Sequence, residues 1–342
     1  MSFFEKSRRV DLKEQAVPAA PKLQKSDEIQ HNGRAAMSFV PEIPRRRLGD
    51  LVVQTEVMQQ IRSALNRIQY HDQLYEKWNL KRIDPDGVGV ALNFYGPPGT
   101  GKSFGAEAVA GELGQGIVRV NYAEMESKYP GDTQKNLTAA FRAAKEQGCL
   151  LFFDESDSIL SRRLGHATHS ADVSVNLTRS VMLTQLDRFS GVVVFGTNLA
   201  SNYDSAFVRR ILAHVYFPLP DQACREELWR RLLVPELPRD IDVDLVNLAK
   251  ESEGLSGGEM LNAVVAAACA AVARKAPEQR VNRADLLGQI AAIRRAKEAV
   301  GAGFGSGETI RSHEEVVSEE DLPTDVREAL VERREGRSAE AS

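Results

Sequence analysis

Eight residues, Gly96-Pro97-Pro98-Gly99-Thr100-Gly101-Lys102-Ser103, carry the densest chemical signal in the chain. They fit the pattern G-x-x-x-x-G-K-[ST], in which small residues let backbone N–H groups curl around phosphates. The apolar run Val90–Tyr95 precedes them and a helical pattern follows, which is the strand-to-helix context the motif needs. The N-terminus of that helix adds dipole charge favourable to anions. Lys102 is then placed to reach the β- and γ-phosphates of a nucleotide, and the Ser103 hydroxyl to ligate Mg²⁺. A glycine-rich turn with a chance lysine would have no need of this setting.

A second run, Leu150-Leu151-Phe152-Phe153-Asp154-Glu155, is an apolar strand ending in two acids, one βα unit after the phosphate loop. Two uncompensated carboxylates at the end of a core strand are costly, so a cation is expected beside them. Asp154 is positioned to bind Mg²⁺, mostly through water, and Glu155 to polarise an attacking water. A third element, Phe195-Gly196-Thr197-Asn198, ends a strand in a polar amide, and Asp204–Arg210 follows with Arg209 and Arg210 adjacent. Alone, Asn198 would be a turn residue and the arginines a solvated helix face. Together with the phosphate loop they suggest a sensor amide and an arginine finger.

These groups need rigid elements to hold them. Apolar runs at Val90–Tyr95, Ile117–Asn121, Leu150–Asp154, Val192–Thr197 and His214–Pro218 read as strands. Helical patterns fill the gaps at Gln54–Asn79, Lys102–Leu113, Thr133–Gln147, Asp172–Asp187 and Asp204–Leu212. Alternation of this kind predicts a parallel sheet flanked by helices, an α/β body over residues 48–218. Beyond Pro218 only helices are expected, at Gln222–Leu233, Asp244–Glu251, Gly257–Lys275 and Arg283–Val300, giving a small helical lid over 219–300. Residues 1–47, polar and broken by Pro18, Pro21, Pro41 and Pro44, read as a flexible arm. The segment 301–342 begins glycine-rich and turns acidic: residues 308–342 hold 11 Asp and Glu against 5 Lys and Arg. That tail accounts for the net charge of −4 and reads as mostly disordered.

The order and spacing of these motifs resemble a classical-clade AAA (AAA+) ATPase from about Leu48 to Val300. The resemblance implies ATP and Mg²⁺ as cofactors, Asn198 as the first sensor beside Glu155, and Arg209 or Arg210 reaching a neighbour's nucleotide. The katanin and spastin group also carries adjacent arginines, and Leu212 stands at the family's later arginine position. A finger acting in trans implies a ring, in this family a homohexamer. Lys128-Tyr129-Pro130-Gly131 falls where the family places an aromatic pore loop, and Tyr129 has a flat apolar face that can grip varied polypeptides. A second pore loop would lie near Arg162–His166. Asp50 and Val52, in Leu48–Val53, match the segment that wraps the adenine edge. Gly257 and Gly258 match the lid's glycine turn, with Gly258 standing where other clades carry a second sensor arginine.

Within the clade, Leu183–Asp187, Asp204–Val208 and Glu253–Gly257 resemble ATPases that remodel HORMA-domain proteins in meiosis, checkpoint signalling and bacterial anti-phage operons. Such an enzyme would take its HORMA-type substrate directly or through a separate adaptor. The alternatives are disassembly of another protein complex, as by katanin, spastin or injection-machine ATPases, and a DNA-directed AAA+ machine. A pI near 6.0 with no basic module speaks against general nucleic-acid binding. A GTPase would need an N-K-x-D motif, which is missing, and a small-molecule kinase would have no use for Asn198 and paired arginines. No run reaches the roughly 20 apolar residues of a membrane span. Cys149, Cys224 and Cys269 lie far apart without metal-ligand spacing, so a reducing cytoplasmic setting is expected.

Overall fold

A computed structural model describes residues 37–83, 89–125, 131–161, 170–198 and 203–299. Five strands form one parallel sheet: β1 (Val90–Tyr95), β2 (Ile117–Asn121), β3 (Leu150–Asp154), β4 (Val192–Thr197) and β5 (Ala213–Tyr216), in the order β2-β3-β4-β1-β5. All four pairings are parallel, with Leu92 opposite Val194 and Ala213, and Leu151 opposite Val118 and Val193. Parallel strands need crossovers. Those described are α2 (Lys102–Glu112), α3 (Tyr122–Met125), α4 (Asp132–Glu146), α5 (Asp157–Leu160), α6 (Ser170–Arg188) and α7 (Ser205–Arg210), with α1 (Thr55–Gln69) preceding β1.

Strand side chains alternate between two cores. Val90, Leu92, Phe94, Phe152, Val192 and Val194 pack with α1 and α2 residues such as Ile61 and Val109. Leu151, Phe153, Val193 and Phe195 face the other way, onto Leu137, Phe141 and Met182. Because both faces are covered, the strands are continuous apolar runs, and four of the five match the expected bounds residue for residue. The fifth was expected over His214–Pro218 and instead spans Ala213–Tyr216. Phe217 N still donates to the Tyr95 carbonyl (2.7 Å), but Pro218 has no N–H to continue the ladder.

Two other expectations are corrected. The helix expected over Gln54–Asn79 ends at Gln69, because its buried stripe of Val57, Ile61, Ala64 and Leu65 stops there. A wider turn at Asp72–Lys77 follows, and Asn79 closes it in the left-handed conformation (φ 57°), which an asparagine tolerates. The arm expected over 1–47 is anchored at its inner end: Glu42 and Ile117 exchange backbone hydrogen bonds of 2.8 and 2.9 Å.

After β5 the chain is helical: α8 (Gln222–Leu232), α9 (Leu245–Glu251), α10 (Gly257–Val272) and α11 (Arg283–Ala299). Their core surrounds fully buried Trp229, whose Nε1–H donates to Ser252 Oγ (2.9 Å). Ala263, Ala267 and Ala271 let α10 approach its neighbours closely. Buried Arg225 ties this layer together by donating to the carbonyls of Ala249 (2.6 Å) and Pro220 (2.8 Å). Asp221, Asp244 and Ser256 cap α8, α9 and α10, the last through a capping box with Glu259. Among the described residues no helix is long and apolar enough to cross a membrane, and all three cysteines are free.

Candidate functional site

In open parallel sheets ligands bind beyond the carboxyl ends of the strands, and the predicted chemical groups meet there. Gly96, Gly99 and Gly101 have positive φ angles of 142°, 75° and 99°, so the loop between β1 and α2 curls as only glycines allow without strain. A Cβ on Gly96 would sit 2.3 Å from the Phe217 carbonyl oxygen. The Thr100 hydroxyl donates to the Pro97 carbonyl (2.8 Å) and fixes the turn. Lys102 opens α2 and is buried, and its ammonium donates at 2.8 Å to the carbonyls of Gly96 and Pro97 and to Asn198 Oδ1. Burial pushes the Lys102 pKa down, and the charges of Asp154 and Asp157 pull it partly back. An ammonium ringed by neutral oxygens at the mouth of a glycine cradle suits a polyanion that would restore its charge.

The residues expected to hold a divalent cation also come together. Ser103 Oγ donates to Asp154 Oδ2 (2.8 Å), which puts two hard oxygen donors side by side at the ends of β3 and the loop. Glu155, the next residue, is exposed and has φ 51°, with its N–H donating to Asp154 Oδ1 (3.0 Å). Ser156 anchors this turn, since its N–H and Oγ both reach the Gly196 carbonyl (3.0 and 2.9 Å). The donors present therefore fit ATP and Mg²⁺ as a matter of chemistry.

A cavity of about 810 Å³ opens beside the loop, between the sheet domain and the helical layer. Gly99, Gly101, Lys102, Ser103, Asp50, Val52, Gly257 and Gly258 all line it, so the expected phosphate, adenine and lid positions share one space. The two layers touch directly at the phosphate loop: Gly258 N–H donates to the Gly99 carbonyl (3.1 Å), and a Cβ on Gly99 would meet Ser256 Oγ at 2.6 Å. Cys224 also lines the cavity, with its thiol pKa pushed up to about 12, chiefly by burial, so it remains a neutral apolar wall.

Arg209 and Arg210 are not among the residues lining the cavity; they lie at the end of α7. Arg210 forks onto Asp187 (Nε to Oδ1, 2.7 Å; second nitrogen to Oδ2, 2.9 Å) and also donates to the Ala206 carbonyl (3.1 Å). This pairing holds its pKa above the ordinary arginine value. Arg209 is exposed and makes no ion pair or side-chain hydrogen bond with another described residue. Gly131 caps α4 with φ 86°, whereas Lys128, Tyr129 and Pro130, together with Arg162–His166, lie outside the described residues.

Three contributors were not singled out from the sequence. Asp157 accepts from the Thr197 hydroxyl and from Asn198 N–H (2.9 Å), and so fixes Asn198, whose side-chain amide meets Lys102. Buried Arg179 steadies the turn carrying Asp157 by donating to the carbonyls of Ser158 (2.6 Å) and Ile159 (3.1 Å). Arg231 of α8 donates to the carbonyls of Gly49 (3.1 Å) and Asp50 (2.8 Å), pinning the segment before Leu51 to the helical layer. A third acid three positions after Asp154 was a visible signal for Asp157; Arg231 had none, because its partner lies 181 residues away.

Residues 92–219 match the family model for the ATPase family associated with various cellular activities (AAA). The chain is 35% identical over 192 residues to katanin p60 ATPase-containing subunit A1 of Strongylocentrotus purpuratus, covering 53% of this chain and 36% of that protein. Spastin of Anopheles gambiae is 38% identical over 180 residues, 49% of this chain and 21% of spastin. The proteasome-activating nucleotidase of Methanopyrus kandleri is 31% identical over 238 residues, 68% of this chain and 53% of that protein. The chain thus spans between about a fifth and about half of the length of these relatives. Sheet order, phosphate loop, the acids ending β3 and the match over residues 92–219 agree: this chain carries an AAA ATPase domain.

Proposed function

We propose that this chain hydrolyses ATP as a subunit of a homohexameric ring and uses the energy to remodel a protein partner gripped in the central pore. The observation that carries the reading is the meeting of Lys102, Asn198, Ser103 and Asp154 within 2.8 Å contacts beside a cavity walled by the lid. Lys102 gives up its bonds to the loop carbonyls and Asn198 to hold the β/γ-phosphates, which frees the Asn198 amide to orient a water. Asp157 keeps that amide in place through its backbone. Glu155 polarises the water, its direction set by a left-handed backbone rather than by side-chain packing. When bound between Ser103 and Asp154, Mg²⁺ would neutralise charge on the phosphates. The Gly258–Gly99 hydrogen bond lets the lid follow changes in the phosphate loop.

Of the paired arginines, Arg209 is the better candidate for the trans finger, since it is exposed and untethered among the described residues while Arg210 is held by Asp187. Tyr129 is assigned to the pore on sequence position alone. A HORMA-domain signalling protein is the preferred substrate, on the resemblance of Leu183–Asp187, Asp204–Val208 and Glu253–Gly257. Disassembly of another protein complex is favoured instead by the likeness to katanin and spastin.

The test is a substrate trap. Glu155→Gln protein with ATP and Mg²⁺ should retain nucleotide, cease turnover and capture a protein partner that Lys102→Ala in the same background releases. Turnover near the wild-type rate would refute the role of Glu155. For the pore, Tyr129→Ala should stop remodelling of the captured partner while ATP hydrolysis continues; unchanged remodelling would remove that assignment.

A further inference from the structure

We propose that Phe39–Arg47 is a strap forming part of the nucleotide cavity, with Arg46 contacting the bound purine nucleotide, so that nucleotide binding and strap docking reinforce each other. The inference rests on the reading of the cavity as an ATP site.

The strap lies in a track made for it. At one end Glu42 pairs with Ile117 through two backbone hydrogen bonds on the edge strand β2. Farther on it crosses α2 at Gly111, where an added Cβ would lie 2.0 Å from the Arg46 carbonyl oxygen. Gly116 keeps the other crossing narrow, with a Cβ there 2.9 Å from Cys149 Sγ and 3.5 Å from the Glu42 carbonyl oxygen. Any side chain at Gly111 would have to lift the strap from the helix.

Charge fastens what shape permits. Glu107, on α2 and nearly buried, accepts from the Arg45 N–H (3.0 Å) and the Arg119 guanidinium (2.7 Å), and lies 3.6 Å from the Arg46 guanidinium. Arg119 also reaches Glu42 (3.0 Å), closing a network that joins strap, α2 and β2. The helix that begins with Lys102 therefore carries the phosphate loop at its start and the strap's clamp about a turn and a half later.

The strap then enters the cavity itself. Arg45 and Arg46 line it together with Phe104, and the Arg46 guanidinium sits 4.1 Å from the centre of the Phe104 ring. Lys102, Ser103, Asp50 and Val52 line the same cavity. A guanidinium stacked on a phenyl ring offers a rigid fork of N–H donors and a flat cationic face, suited to a purine or its ribose. Its charge also favours a polyanionic ligand. Because coupling between two binding events is reciprocal, a nucleotide that touches Arg46 stabilises the strap, and a seated strap strengthens nucleotide binding by the same factor.

ADP is the probe, since it reports binding without turnover. Calorimetric titration should show Arg46→Ala, a substitution at a half-exposed side chain, weakening ADP by about tenfold. Gly111→Ala should weaken ADP similarly, although alanine favours the helix itself. Arg45-Arg46-Arg47 also makes the strap a trypsin target. ADP should slow cleavage there in the wild type, and Gly111→Ala should speed it. Both variants binding ADP within about twofold of wild type, with cleavage indifferent to ADP, would overturn the strap while leaving the ATP site standing. Wild-type protein that takes up no ADP, under conditions where its thermal transition shows it folded, would overturn the cavity reading and the strap with it.

Discussion

Asp187→Ala separates the roles of the two arginines in α7, and its effect can be worked from the geometry. Arg210 grips Asp187 with two nitrogens, but the side chains are 32% and 51% exposed, so water screens the pair. A pair of this kind contributes about 1 kcal/mol, a roughly fivefold bias toward the tethered arrangement. If Arg210 were the finger, it would have to leave Asp187 to act, and cutting the tether would raise kcat by up to about fivefold. With Arg209 as the finger, Asp187→Ala should leave kcat within about twofold of wild type and lower Tm by about 2–4 °C. Arg209→Ala should then reduce kcat by about 10³ or more, as loss of a transition-state arginine does. The assay is steady-state ATP hydrolysis at a protein concentration where sedimentation shows the proposed ring to have assembled. A fivefold gain in Asp187→Ala, or near-normal turnover in Arg209→Ala, would refute the assignment.

Two further outcomes follow from single contacts. Gly99→Ala places a Cβ 2.6 Å from Ser256 Oγ on a residue with φ 75°, costing about 1–2 kcal/mol in backbone strain before the clash is counted. Calorimetry should show ADP affinity reduced at least tenfold, and affinity equal to wild type would mean that the lid contact is not part of the site. His214 packs beside Tyr203 (ring centroids 5.7 Å) with Asn93 Nδ2 3.2 Å from its Nδ1, and burial lowers its pKa below the ordinary 6.5. The folded state therefore binds fewer protons than the unfolded chain, so this residue's stabilisation is full above pH 6.5 and is lost as the pH falls below it. Scanning calorimetry between pH 7.5 and 5.5 should show His214→Gln with a smaller drop in Tm than wild type; an equal drop would remove His214 as a source of the pH dependence.

Much of the site was legible because its parts are local. The phosphate loop, the acids after Phe153 and the amide after Thr197 are each carried by a few consecutive residues at the end of a buried strand, and buried strands announce themselves as apolar runs. What stayed hidden depends on distant pairs. Nothing near Glu42 shows that it will meet Ile117 and Arg119, the latter 77 residues away, so the inner arm read as loose chain. Arg210 and Arg209 are indistinguishable as neighbours in sequence; only the approach of Asp187 from α6 separates them. The break at Tyr70 was masked because polar helix formers continue beyond the end of the buried stripe, and burial rather than propensity sets where α1 stops.

With Glu155 polarising water as proposed, its left-handed backbone sets stability against activity at one position. A β-carbon in that conformation costs roughly 1 kcal/mol relative to glycine, and the fold sustains it through the Ser156–Gly196 anchor. On the proposed role of Glu155, selection for thermal endurance alone would drift toward glycine at residue 155 and yield a sturdier protein that binds nucleotide without hydrolysing it. Variants recovered from such a selection should therefore be screened for turnover as well as for melting temperature. Any effort to harden this domain does better at exposed positions far from the end of β3, where added order takes nothing from the carboxylate.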